Sequence, residues 1–183
     1  MDASDLGDKL TEVLLTEAQL KQRLAEMARQ IEADYADTPP LLVGVLKGAV
    51  MVMADLSREL RFQAQMDWMA VSSYGAGTKS SGVVRILKDL DADLTGRDVL
   101  IVEDIIDSGL TLSWLKGNLK NRGARSVEIC TMLRKPEALK VEVDVKYIGY
   151  DIPNEFVVGY GLDYAEDYRN LRDVAILAPH VYQ

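Results

Sequence analysis

The chain has one cysteine, Cys130, and one histidine, His180, among 183 residues. A lone thiol excludes an intrachain disulfide, and one Cys with one His excludes a Cys/His metal cluster. Basic residues are in the minority: 21 Lys and Arg stand against 29 Asp and Glu, for a net charge of −8. That balance opposes a nucleic-acid partner, because phosphate backbones are held by clustered Lys and Arg. An anionic ligand stays open where local groups or metal ions offset the field. The longest apolar tract, Leu41 to Ala54, is interrupted by Lys47 and is too short to span a bilayer. Met1 to Asp5 carry neither the basic stretch nor the apolar core of a secretory signal, so a cytoplasmic protein with no membrane attachment is expected. There is no Gly-x-x-x-x-Gly-Lys-Ser/Thr P-loop, and Gly75-Ala-Gly77 fails as a dinucleotide fingerprint because Ser80 takes the third glycine position. No serine or thiol motif is directed at His180, which leaves no hydrolase triad, and Cys130 within Ser126–Met132 reads as a core thiol.

What is present suits one domain with a full-sized core: 48% of residues are hydrophobic and 27% charged. Thr16-Glu-Ala-Gln19 is a capping box, Leu15 and Leu20 are placed to form a hydrophobic staple across it, and Leu20, Leu24, Met27, Ala28 and Ile31 follow at helical spacing. After Pro39-Pro40, Leu41–Leu46 reads as a buried strand and Ala49 to Leu60 as a helix. Phe62, Ala64, Met66, Trp68 and Ala70 alternate with mostly polar neighbours, which predicts a strand buried on that face. Ser72 to Gly82 holds four Ser and three Gly and predicts a mobile loop. Strands are predicted over Val83–Leu87, Val99–Val102 and Ser126–Met132, with a helix from Leu110 to about Asn121, stopped near Gly123. Such alternation predicts an α/β fold, an open, mostly parallel sheet flanked by helices, with ligands beyond the carboxyl ends of the strands. Short strands and aromatic loops from Val141 onward predict a small hood folded over those ends. The expected division is a single domain over 1–183, its core at about 35–140 and 170–178, and a hood at about 141–169 joined by the N-terminal segment.

The most informative segment is Val99-Leu-Ile-Val-Glu103-Asp104-Ile-Ile-Asp107-Ser108-Gly109-Leu110-Thr111. An apolar strand ends on adjacent carboxylates, and a small polar turn then opens a helix. Carboxylates accept hydrogen bonds from paired hydroxyls, while the turn's N–H groups and the Ser108 and Thr111 hydroxyls can surround a phosphate at a helix N-terminus. This is the chemistry of a bound ribose phosphate. The combination resembles the phosphoribosyl-pyrophosphate (PRPP) signature of the type I phosphoribosyltransferases, and the chain from about Leu41 to Arg172 resembles their 6-oxopurine (hypoxanthine-guanine) branch.

The resemblance implies the type I phosphoribosyltransferase fold and a set of roles. Glu103 and Asp104 hold the ribose hydroxyls and help position metal-bound PRPP, and Asp107, Ser108, Gly109, Leu110 and Thr111 anchor the 5′-phosphate. Leu46, Lys47 and Gly48, often with a cis Leu46–Lys47 bond, bind pyrophosphate together with Arg169. Ser73-Tyr74-Gly75 opens a flexible lid. In Leu133-Arg134-Lys135-Pro136, Lys135 is preferred to Arg134 because it stands next to the proline, where a positive charge faces the purine O6. Phe156 stacks on the purine, the Val157 backbone reads its edge, and Asp163 helps bind a second Mg2+, so that Glu103, Asp104 and Asp163 form the metal set. Asp107 is the implied catalytic base and Lys135 its partner. The implied function is purine salvage: Mg2+-dependent transfer of the phosphoribosyl group from PRPP to N9 of hypoxanthine or guanine, by a homo-oligomer, dimer or tetramer. Two alternatives stay open, a phosphoribosyltransferase for another base such as xanthine and a non-catalytic PRPP-sensing regulatory protein. Lys135 opposes adenine, whose C6 carries a donor rather than an acceptor, and the acidic balance opposes a nucleic-acid-binding regulator.

Overall fold

The computed structural model describes residues 1–73 and 84–183. In chain order the elements are β1 (Leu10–Leu15), α1 (Glu17–Asp34), β2 (Leu41–Leu46), α2 (Val50–Glu59), β3 (Gln65–Ser73), β4 (Val84–Lys88), β5 (Asp98–Ile106), α3 (Leu110–Asn121), β6 (Ser126–Arg134), β7 (Tyr147–Asp151), β8 (Val157–Val158), β9 (Val174–Leu177) and α4 (Pro179–Tyr182). A six-stranded sheet runs β4-β3-β2-β5-β6-β7, parallel throughout except for the antiparallel edge strand β4. The second sheet has three antiparallel strands in the order β1-β9-β8.

The continuous apolar runs of β2 and β5 have a direct cause: both faces are covered. Leu42, Leu100 and Val102 pack in the core beneath α1 and α2, whereas Leu41, Val43, Val45, Val99 and Ile101 pack with Leu112, Leu115 and Leu119 of α3 on the opposite face. The capping box forms as expected, with Gln19 N–H donating to Thr16 Oγ1 and the Gln19 side chain accepting from Thr16 N–H. Leu20, Leu24, Met27, Ala28 and Ile31 are the buried stripe of α1.

Several expectations shift. β5 does not stop at Val102 but continues to Ile106, in register with β6 through Glu103 opposite Thr131 and Ile106 opposite Arg134. The β-branched Ile105-Ile106 pair keeps the chain extended, so the acidic pair lies within the strand and not after it. Ser72 and Ser73 are still β3, and the rest of the Ser72–Gly82 loop lies outside the described residues. Tyr147–Asp151, assigned to the hood, is the edge strand of the main sheet, and Val174–Leu177, assigned to the core, pairs with β1 and β8 in the small sheet. β1 was not foreseen at all. The strand expected over Phe62–Ala70 begins at Gln65, and its deeply buried residues are Asp67 and Met69, while Met66 is 49% exposed.

Phe62, Ala64 and Trp68 pack against the core as the alternation predicts, and Asp67 belongs to a second buried face with Met69 that the alternation does not reveal. The Asp67 carboxylate accepts from Trp68 N–H at 2.7 Å and from the N–H groups of Asp91 and Ala92 at 2.9 Å each. Burial alone would push this carboxyl up, but the Ala92, Trp68 and Asp91 donors, with Lys88 nearby, outweigh it and hold it below the usual range. Asp67→Asn is expected to cost about 1.5–3 kcal/mol at neutral pH in urea unfolding, the range for hydrogen bonds to a charged group. A depressed folded pKa contributes stability above the unfolded value that is lost as pH falls through the folded one, so the gap to the parent closes below roughly pH 4. A gap that persists in acid would assign the loss to something other than the charge.

Candidate active site

The site assembles at the carboxyl ends of β2, β5 and β6. β2 runs into a cis Leu46–Lys47 peptide, and the following Gly48 is pressed against Asp104: a Cβ there would overlap Asp104 Oδ2. On the far side, Gly161, at φ +99°, abuts the Gly48 carbonyl so closely that a Cβ would overlap that oxygen. Arg169 Nη1 donates to Gly161 C=O at 2.8 Å, and its Nη2 lies 3.0 Å from Asp163 and 3.1 Å from Glu166. Lys47 Nζ also meets Glu166, at 2.6 Å. Leu46, Lys47, Gly48, Asp104, Asp163 and Arg169 are therefore one linked group. Glu166, at φ +70°, is a member that no motif signalled.

Glu103 and Asp104 are the electrostatic centre. Burial pushes the Glu103 carboxyl well above the ordinary range, and the neighbouring Asp104 charge pushes it further. Burial likewise raises Asp104, against the pull of the Ile105 N–H and the Arg169 charge. Beside them is a cavity of about 250 Å3 lined by Val45, Val71, Glu103, Ile105, Ile106, Asp107, Ser108, Gly109, Thr111 and Leu112. All of the phosphate-turn residues foreseen in sequence except Leu110 thus line one space with Glu103. Gly109 takes φ +77° as the N-cap of α3, which has no side-chain cap hydrogen bond. Leu110 N–H leans on Ser108 Oγ at 3.4 Å, and the rest of the first turn, aided by the helix dipole, faces an anion without a side-chain cap. The turn is braced from behind: Lys140 N–H donates to Ser108 C=O at 3.0 Å, and Val143 packs where a Gly109 Cβ would stand.

Two adjacent cations end β6, and their surroundings separate them. Arg134 is engaged bidentately by Asp151 of β7, at 2.7 and 2.9 Å. Lys135 is 9% exposed, its N–H donates to Ile106 C=O at 2.9 Å, and it has no ion-pair partner among the described residues. Phe156 is 38% exposed just before β8. Leu177 N–H donates to Phe156 C=O at 2.9 Å, making 156/177 a hydrogen-bonded pair. By antiparallel alternation Val157 then turns its own N–H and C=O away from β9, to the open edge of the small sheet. Tyr74 and Gly75 of the expected lid lie outside the described residues, and Ser73 is the last residue of β3.

Residues 11–165 match the phosphoribosyl transferase domain model. The chain belongs to the phosphoribosyl transferase domain family. Among its relatives, the hypoxanthine-guanine phosphoribosyltransferase of Mycobacterium tuberculosis is 56% identical over 183 residues, covering 97% of this chain and 90% of that one. The enzyme of the same name from Bacillus subtilis is 48% identical over 95% of this chain and 97% of its own. A crystal structure of a hypoxanthine phosphoribosyltransferase from Staphylococcus aureus superposes with a TM-score of 0.95 at 45% identity, covering 99% of this chain and 98% of that one. The open, mostly parallel sheet with flanking helices is the fold of this phosphoribosyltransferase family.

The donors on this phosphoribosyltransferase suit a hard divalent cation. Glu103, Asp104 and Asp163 offer carboxylate oxygens, but no three acidic, His or Cys side chains among the described residues gather closely enough to cage a metal. The three do not make one all-protein centre. Mg2+ is commonly held by one or two carboxylates, with water and substrate phosphates completing its octahedron, and that mode fits. Asp163 is already bonded to Arg169 and to Glu166 N–H, which fixes its orientation. No helix among the described residues is long and apolar enough to cross a membrane.

The raised Glu103 carboxyl has a measurable consequence. Because the folded state holds its proton more tightly than the unfolded state, the penalty begins as pH rises through the unfolded value and is complete above the folded one. Glu103→Gln should therefore melt above the parent at pH 8 by roughly 2–4 °C or more, the equivalent of one kcal/mol at this chain length. The difference should shrink toward pH 4. Calorimetry that found it independent of pH would remove the charge as its source.

Proposed function

We propose that the chain is a purine-salvage enzyme, transferring the 5-phosphoribosyl group of PRPP to N9 of hypoxanthine or guanine and releasing pyrophosphate with IMP or GMP. The observation that carries this reading is Lys135, a buried cation without an ion-pair partner, tied through its N–H to the Ile106 carbonyl that leads into the Asp107–Thr111 turn. A ribose-phosphate cradle with a cation at its side is what an oxo-substituted acceptor base requires.

Glu103 and Asp104 accept hydrogen bonds from the ribose hydroxyls, and the α3 N-terminus with Ser108 and Thr111 holds the 5′-phosphate. The Lys47–Gly48 backbone and Arg169 receive the pyrophosphate. Asp163, with PRPP oriented by the acidic pair, would hold Mg2+, which would supply positive charge against the negative charge developing on the leaving group. Phe156 stacks on the base and the Val157 edge bonds its rim. N9 attacks C1 of the ribose as the C1–O bond to pyrophosphate breaks. Asp107, exposed on the turn, takes the N7 proton, and Lys135 stabilises the charge gathering on O6. The segment from Ser73 through Tyr74 and Gly75 acts as a lid that excludes water from the ribose cation. A cytoplasmic dimer or tetramer belongs to the same proposal, read by light scattering for its assembly.

Initial rates with PRPP, Mg2+ and each of hypoxanthine, guanine, xanthine, adenine and uracil test the reading. Turnover of hypoxanthine or guanine is expected, and turnover confined to adenine or uracil would overturn it. Asp107→Asn should lower kcat by about 10²–10⁴ with PRPP binding unchanged. Near-normal turnover would withdraw Asp107 as the base.

A further inference from the structure

The ring of Phe156 is not alone. Tyr182 of α4 stacks on it with centroids 4.9 Å apart and 20° between the planes, and Tyr164 meets it edge-on at 5.7 Å and 85°. Tyr164 and Tyr182 are 6.4 Å from each other. Rings on opposite faces of Phe156 would stand roughly 10 Å apart, twice a stacking distance. Tyr182 thus covers one face of Phe156, and Tyr164 stands toward the rim of the ring rather than opposite Tyr182, leaving Phe156 38% exposed. The segment that leads into Tyr182 is anchored: Ala178 N–H donates to Lys9 C=O at 2.8 Å, and Leu177 N–H ties β9 to Phe156 itself.

We propose that Tyr182 is a positioning residue for the acceptor base: it packs behind Phe156, fixes the plane of that ring, and presents the opposite face ready for a flat purine. This rests on the stacking role given to Phe156 above. A ring already ordered before the base arrives loses little side-chain freedom on binding, whereas an unsupported one must be immobilised at that moment. The effect belongs to base binding and not to bond breaking, because neither Tyr182 nor Tyr164 lies among the groups assigned to the ribose or the pyrophosphate.

Steady-state kinetics with hypoxanthine and with guanine test the role. Tyr182→Ala should raise the KM for the base roughly 3–10-fold, leaving kcat and the KM for PRPP within about twofold. Tyr182→Phe, which keeps the stacking face and loses only the hydroxyl, should restore the parental KM. An unchanged KM overturns the proposal. So does a lower one, which would mean that Tyr182 occupies the base's own place, or a joint change in kcat and both KM values, which would mark a general structural role. Phe156→Ala separates this proposal from the reading beneath it. If Phe156→Ala raises the base KM and Tyr182→Ala does not, only the role of Tyr182 fails. If Phe156→Ala is silent in an enzyme that turns over 6-oxopurines, the stacking assignment itself fails.

Discussion

A buried carboxylate, Glu103, followed directly by a half-buried one, Asp104, is the constraint around which the site is arranged. Burial raises both Glu103 and Asp104, and the Asp104 charge raises Glu103 further. A hydrophobic pair at the end of β5 would fold more easily, since buried charge without a full partner is costly. What relieves it on this chain is partial: the Ile105 N–H and the distant charge of Arg169 act on Asp104. The remaining demand for hydrogen-bond donors or cations is directed at whatever enters the cleft, and hydroxyls with a divalent ion meet it.

The same constraint dictates the loops. Asp104 lies so close to the chain after β2 that only glycine fits at position 48, and the Gly48 carbonyl in turn admits only glycine at 161. The loop after β8 is thereby fastened to the end of β2, and Tyr160, Ala165, Glu166 and Tyr168 are all held at positive φ along it. Backbone conformations of that kind persist only where surrounding contacts over-determine them. Here the contacts are visible: the Gly161 to Gly48 approach, Arg169 bonded to the Gly161 carbonyl, and Tyr160 bonded to Asp55 of α2 at 2.7 Å. Phe156 and Val157 are positioned by the small sheet, Asp163 and Arg169 by this fastened loop.

The parts legible in the sequence were those with local causes. The capping box, the doubly buried run of β2 and the span of α3 depend on nearest neighbours and on burial on two faces, and the motif at Val99–Thr111 is contiguous. The parts that were not legible depend on distant chain. β1 becomes a strand because β9, some 160 residues later, supplies its partner. Asp67 is buried because Asp91 and Ala92 bring their N–H groups to it, so an alternation count that places Phe62, Ala64 and Trp68 against the core misses the second buried face. Leu177 N–H fixes which way Val157 turns its backbone, and Glu166 joins the site through Lys47, 119 positions away. No spacing rule reaches those distances.

An acidic chain that binds a polyanion needs its cations placed with care, and they are of two kinds. Lys47 and Arg169 already sit on carboxylates, Glu166 for the first and Asp163 with Glu166 for the second. The Lys47–Glu166 pair is 65% and 63% exposed, so it contributes at most about 1 kcal/mol. An arriving phosphate oxygen can replace Glu166 there at small cost, exchanging one anion for another without leaving a bare cation behind when product departs. Lys135 differs in being buried beside the acidic strand with no carboxylate of its own among the described residues. In surroundings where water screens little, a charge of this kind favours a nearby group that becomes negative. Exchangeable pairing suits a leaving group that must be released; an unpaired buried cation suits an oxygen whose charge lasts only through the transition state.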